Sequence, residues 1–168
     1  GGTSDVCFSP DGKYCASVST EGAVLLWNAE SGAFVKKVLL HARPYSLVFG
    51  SDGRKLAVGT RDGAVSFYSS PGLDSLFSVN LKNGQSNKLR VSPDGKYIAS
   101  VGEDNILRFI DYTTGEVIKE FKGHTQRTWD AAFHPDGRRV ATASADMTVR
   151  IWDIQTGETL LVLADFSD

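Results

Sequence analysis

The stretch Gly123–Gly157, GHTQRTWDAAFHPDGRRVATASADMTVRIWDIQTG, decides how this chain is read. A Gly123-His124 pair opens it, a Trp152-Asp153 pair stands near its end, and Pro135-Asp136-Gly137 lies between them. Proline presets φ at the first central position of a turn, aspartate bonds back to its own backbone, and glycine accepts a positive φ, so Pro-Asp-Gly predicts a hairpin. Turn signals around it separate four apolar runs of strand length: Thr128–Phe133, Arg139–Ala143, Thr148–Trp152 and Thr159–Leu163. No run has helical length and period, so the unit is all-β.

Upstream, the chain repeats this unit three more times in looser form. The hairpin signal recurs at Ser9-Pro10-Asp11-Gly12, Gly50-Ser51-Asp52-Gly53 and Ser92-Pro93-Asp94-Gly95, giving spacings of 41, 42 and 42 residues to His134-Pro135-Asp136-Gly137. A second turn recurs at Glu21-Gly22, Asp62-Gly63, Asp104-Asn105 and Asp146-Met147. A third falls at Ser31-Gly32, Pro71-Gly72, Thr114-Gly115 and Thr156-Gly157. The first strands are apolar on both sides, as in Val6, Phe8, Leu47, Phe49, Leu89, Val91, Ala131 and Phe133 with their neighbours. Such strands call for another sheet above and below.

A period of about 42 residues with four strands each suits radial stacking of small antiparallel sheets, and the whole chain resembles the WD-repeat β-propeller family. The resemblance implies an all-β propeller segment over residues 1–168, with four four-stranded antiparallel blades near 3–41, 42–82, 83–124 and 125–168. It also implies a buried hydrogen-bonded quartet of His, Ser or Thr, Asp and Trp in each complete unit. Only the last unit holds all four types: His124, Thr142 or Ser144, Asp146 and Trp152. In the earlier units the Trp position is Trp27, Tyr68 and Ile110, and the Asp position is Glu21, Asp62 and Asp104. His41 lies one residue off register, and unit three has Lys82-Asn83-Gly84 in place of Gly-His. Units one to three are therefore expected to rely more on packing.

His124, Ser144 and Asp146 invite a catalytic reading, but all three fall on the structural positions of the resemblance, so no catalytic residue and no enzyme is expected. His41, His124 and His134 have no metal-ligand spacing, and Gly12-Lys13 and Gly95-Lys96 lack the earlier glycine of a phosphate loop, so no metal or cofactor is expected. Cys7 and Cys15 flank the first hairpin turn and are expected to face each other across it as reduced thiols, since directly cross-strand pairs strain a disulfide.

With 41% hydrophobic and 23% charged residues and a net charge of −2, the chain has the balance of a globular protein and no bulk basic field for nucleic acid. No apolar run approaches the roughly 20 residues of a membrane helix. A soluble, cytoplasmic protein is expected. The opening Gly-Gly and a single methionine, Met147, read as the mark of an excised or engineered piece.

Four blades of the usual geometry make half a ring. If each terminal face presents on the order of 500 Å² of apolar surface, leaving it wet forfeits roughly 12 kcal/mol. Two copies closing head to tail into an eight-bladed homodimer resolve this, with a strained four-bladed monomer or another copy number as alternatives. The resemblance further implies ligand contacts at one face of the ring: Arg43, Tyr45 and Arg61; Gln85, Asn87 and Glu103; Arg127, Trp129 and Ala145; and, in unit one, Ser4 and Thr20. Tyr45 and Trp129 with the three arginines suit an acidic peptide or protein segment. Alternatively Trp129 packs on a neighbouring loop and the arginines are solvated. The expected function is a non-catalytic interaction scaffold, with a purely structural self-assembling module as the alternative and a central-channel enzyme a distant third.

Overall fold

The computed structural model describes residues 1–82 and 85–164, without the side chains of residues 86 and 87. The first sheet is β1 (Thr3–Phe8), β2 (Tyr14–Ser19), β3 (Ala23–Asn28) and β4 (Phe34–Leu39); the second is β5 (Pro44–Phe49), β6 (Lys55–Thr60), β7 (Ala64–Ser69) and β8 (Ser75–Asn80). The third is β9 (Ser86–Val91), β10 (Tyr97–Gly102), β11 (Leu107–Asp111) and β12 (Val117–Phe121); the fourth is β13 (Thr128–Phe133), β14 (Arg139–Ser144), β15 (Thr148–Asp153) and β16 (Thr159–Ala164). Each sheet is an antiparallel meander in chain order. The four strands expected in the last unit all form, three of them one residue longer at the C-terminal end.

Local chemistry explains the hairpins. Gly137 adopts φ 69° and donates its N–H to the carbonyl of His134 at 3.0 Å, closing the Pro-Asp-Gly turn. The second turn also needs a left-handed residue. Gly22 and Gly63 supply it in the first two sheets, but Asn105 (φ 69°) and Met147 (φ 64°) occupy the same place in the last two. Asparagine tolerates that conformation, whereas methionine pays a Cβ clash there.

The sheets stack through their inner strands, β1 beside β5, β5 beside β9 and β9 beside β13. Three apolar cores fill the joints. Val18, Val24 and Leu26 meet Leu47, Phe49 and Leu56; Val65 and Phe67 meet Leu89, Ile98 and Ile110; Leu107, Phe109 and Phe121 meet Ala131, Val140 and Trp152. The middle sheets are covered on both faces, so β6 and β10 are buried along almost their whole length. No pair of described strands from the first and fourth sheets makes comparable contact. The chain is thus an open stack of four blades, all-β and antiparallel, consistent with a propeller of WD repeats.

Polar ties run along the inner strands. The Asp5 carboxylate accepts the Leu47 N–H and the Ser46 hydroxyl, both at 3.1 Å, and the Lys88 ammonium at 2.8 Å. Ser46 Oγ in turn accepts the Leu89 N–H at 3.0 Å. Arg90 reaches the Asp130 carboxylate at 2.7 Å.

The two cysteines are half-buried and unpaired, but they do not face each other across the hairpin. Cys7 pairs with Ala16, and Cys15 pairs with Phe8, so the two thiols point to opposite faces of the first sheet. Both are free. Cys7 enters the first core, where burial pushes its thiol up to about 12.

Candidate functional site

The last blade carries a buried polar chain. Its geometry assigns the tautomer of His124: Nδ1–H donates to Asp146 Oδ2 at 2.8 Å, leaving Nε2 to accept the Thr142 hydroxyl at 2.7 Å. Thr142 Oγ1 then accepts the Trp152 Nε1–H at 2.8 Å. Asp146 also accepts the N–H groups of Thr125 and Thr148, at 3.0 Å each, and the Thr148 hydroxyl at 2.7 Å. Burial alone would raise the Asp146 carboxyl. The hydrogen bonds from Thr148, Thr125 and His124 outweigh it and hold the group far below the usual carboxylate range.

Of the two hydroxyls that the sequence left open, Thr142 joins this chain. Ser144 does not; its Oγ donates toward the carbonyls of Gln126 (2.9 Å) and Arg127 (3.1 Å), and accepts the Asp146 N–H. The two share a face of the strand, being two residues apart; their places along it differ, Thr142 lying opposite Arg150 within the ladder, where Trp152 and His124 reach it, and Ser144 ending the strand beside the loop. No Ser-His-Asp relay is therefore assembled. Thr142 is 1% exposed and Trp152 1%, so the hydroxyl on His124 faces no open space. His134, for its part, is exposed and contacts Asp136 and Arg139.

The earlier blades fill the same place differently. Trp27 donates to Ser17 at 3.3 Å, and in the second blade Thr60 holds Asp62 at 2.5 Å. The third blade buries Arg108 between Asp104 (2.6 Å) and Glu120 (2.9 Å). That trio was not read from the sequence. Asp104 stands four residues before Arg108, but Glu120 comes opposite only through the β11–β12 register.

The positions expected to meet a ligand lie at one end of the inner hairpins. Arg61 N–H donates to the Arg43 carbonyl (2.9 Å), Ala145 N–H to that of Arg127 (2.9 Å), and Glu103 N–H to that of Gln85 (3.2 Å). In the first blade the same bracket joins Thr20 to Gly2. Between each bracket and the ladder beyond, the inner strand carries one extra residue. The register shifts between Thr3 and Asp5, between Pro44 and Ser46, and between Thr128 and Asp130, so Ser4, Tyr45 and Trp129 are bulged out of the pairing. Asn87 holds that place in β9, though its side chain lies outside the described residues. A bulge frees a side chain from the pleat and re-aims it. Trp129 is accordingly 46% exposed, with the Arg127 guanidinium 3.9 Å from its ring centroid. Arg43 stands 5.1 Å over Tyr45 in the same way. Arg61, Gln85 and Glu103 complete the edge, the Gln85 N–H lying 3.5 Å from the Glu103 carboxylate.

Among the described residues, no three His, Cys, Asp or Glu side chains are grouped to hold a metal ion. No helix among the described residues is long and apolar enough to cross a membrane.

Four stacked meanders, each with this bracket and bulge, define a repeat class of propeller blades. The family model described as WD domain, G-beta repeat matches residues 1–28, 81–111 and 115–153, more than half of the chain, and the chain belongs to the WD-repeat family. The longest unmatched stretch, residues 29–80, holds Tyr68 for the tryptophan and the off-register His41, yet β5 to β8 within it form the same four-stranded meander. The chain is similar to the WD repeat-containing protein SL1-17 of Schistosoma mansoni, 34% identical over 67% of this chain and 38% of that protein. It is 30% identical to WD repeat-containing protein 1 of Bos taurus, over 68% of this chain and 20% of that protein. It is 31% identical to the guanine nucleotide-binding protein G(I)/G(S)/G(T) subunit beta-1 of Homarus americanus, over 50% of this chain and 26% of that one. The chain thus spans well under half the length of these relatives.

Proposed function

We propose that the chain is a non-catalytic protein-interaction scaffold that docks an acidic protein segment on its bulged edge. The observation that carries this reading is the Arg127–Trp129 stack: an aromatic ring 46% exposed, lifted out of the sheet and held against a guanidinium 3.9 Å away. Such a pair is ordered before a ligand arrives, so little side-chain freedom is lost on binding. Arg43 with Tyr45 repeats the motif two blades away, and Arg61 adds a third cation beside it. Aromatic and arginine side chains are the residue types that dominate binding energy at protein interfaces. A cytoplasmic setting is part of this reading.

The test uses arrayed peptides rich in Asp and Glu, with basic and scrambled controls. Binding of an acidic peptide that weakens with salt, and falls about tenfold or more in Arg127→Ala/Trp129→Ala without a change in melting temperature, is the expected result. Acidic peptides that bind no better than the controls would refute it and favour a purely structural module.

The finer proposal is that two copies complete the ring. Leu47 and Phe49, on the face of the second blade covered by the first, are each 3% exposed. Val6 and Phe8 hold the same repeat positions on the first blade and are 58% and 67% exposed. The free face of the fourth blade is likewise apolar, with Leu161 and Leu163 about half exposed. A second chain placed head to tail covers both faces at once. A solution mass of twice 18.2 kDa is expected, and a particle of 18.2 kDa rules the dimer out.

A further inference from the structure

Two of the three joints inside the chain share one hydrogen-bonding rule. In the first blade, the side chain at Asp5 accepts the backbone N–H of Leu47 in the second. In the second, the side chain at the same repeat position, Ser46, accepts the N–H of Leu89 in the third. The third blade breaks the pattern, because its residue there is Lys88, which has no acceptor. The corresponding N–H in the fourth blade, that of Ala131, is taken instead by its own neighbour, Asp130 Oδ1, at 2.8 Å. Asp130 is the fourth blade's residue at this position, and a carboxylate with two oxygens accepts more than the bonds from Ala131 and Arg90. The backbone group that the rule assigns to it is the N–H at the position of Leu47 and Leu89 in a first blade, which is Val6.

A second regularity concerns packing. Phe133, at the Phe8 position of the fourth blade, lies 5.3 Å from Phe109 on the face of the third. The fourth blade's residue at the Phe109 position is Ile151. On its free face a depression of about 250 Å³ is lined by Ile151, Ala132 and Ala141, among others. The two alanines leave room there for a large side chain, as Ala16 does in the core that holds Phe49.

From these two regularities, and resting on the self-assembly proposed above, we infer that the joint between copies repeats the joint between blades. Asp130 of one copy accepts the Val6 N–H of the second copy, and Phe8 of that second copy enters the depression of Ile151, Ala132 and Ala141. The occupant of each free face is therefore the opposite face of another copy of this chain. Continuity with the internal joints selects this occupant over a like-to-like pairing of first blades, which would set Phe8 against Phe8 and bring Asp130 no N–H from across the joint.

The test is sedimentation equilibrium of the 168-residue chain and four variants, each checked for an unchanged melting curve. Phe8→Glu and Ala132→Glu alter exposed side chains on the two opposing faces, and each alone is expected to sediment as a monomer. Asp130→Ala is expected to raise the dimer Kd about tenfold at each of two joints. Arg90→Gln, which removes the other partner of Asp130, should leave it unchanged. A wild-type chain that stays monomeric at its highest attainable concentration overturns both the self-assembly and this joint. A wild-type dimer that tolerates Phe8→Glu or Ala132→Glu overturns the joint alone.

Discussion

Trp152→Phe isolates the contribution of the buried chain in the fourth blade. Phenylalanine keeps an aromatic ring near Phe121, which sits 5.9 Å from the indole, edge to face. It removes the Nε1–H that donates to Thr142 at 2.8 Å in a site 1% exposed. Thr142 is left with His124 alone, a loss of about 1 to 2 kcal/mol. The missing half of the indole adds a void. A Cβ on Gly123 would lie 3.0 Å from the Trp152 ring, so the loop is fitted closely to the full side chain and has little freedom to collapse. At ~24 cal/mol per Å³, roughly 40 Å³ of void adds about 1 kcal/mol. The sum, about 2 to 3 kcal/mol, corresponds to a fall in Tm of roughly 4 to 12 °C for a chain of this size. Tyr68→Phe at the same repeat position keeps ring and volume and removes one hydroxyl, for less than about 1 kcal/mol. Circular dichroism melts of the two variants, with urea titrations to confirm an unchanged m value, make the comparison. Equal shifts would refute the view that the fourth blade is held by its polar chain.

Two further substitutions probe single features. Asp146 has a folded-state pKa depressed below the unfolded value of about 3.9, so its ionised form contributes stability above that pH, and the contribution is lost as pH falls through the folded value. Asp146→Asn should therefore be less stable than wild type at neutral pH, with the gap narrowing below about pH 4; a gap independent of pH in that range contradicts the assignment. Met147→Gly should stabilise the chain, because the left-handed φ of 64° costs a Cβ-bearing residue about 1 to 2 kcal/mol, against about 0.5 to 1 for glycine's added freedom when unfolded. The expected gain is a rise in Tm of about 1 to 4 °C, since the side chain is 78% exposed and packs on little, and a fall would count against the strain.

The fold was legible because its punctuation is local. Asp-Gly hairpins such as Asp136-Gly137 act within four residues, and their recurrence fixes the unit without knowledge of any distant contact. Strand pairing is not local, and the misplacements trace to it. Cys7 and Cys15 looked opposed by symmetry about the turn, but the ladder pairs them with Ala16 and Phe8 and sends them to opposite faces. Thr142 and Ser144 have like chemistry two residues apart, and only the packing of Trp152 against the third blade separates them. At the candidate edge the residue types were visible, yet the bulge that lifts Tyr45 and Trp129 out of the ladder leaves no distinctive mark in their letters. The Arg108 trio required knowing that Glu120 lies across the sheet.

The tie from Lys88 to Asp5 changes how such a stack comes apart. Repeat arrays in which each unit touches only its neighbours can fray one unit at a time from either end. Here an ion pair of 2.8 Å, with its two side chains 24% and 13% exposed, skips the second blade and fastens the third to the first. Removing the first blade strands the Lys88 ammonium as well as baring the second blade, so the loss is felt two units away. The fourth blade has no such latch reaching past its neighbour among the ion pairs described, only the Arg90–Asp130 contact at its own joint. The ion pairs are thereby asymmetric: one of them clasps three blades together, while the blade with the most complete internal network is tied by them only to its neighbour.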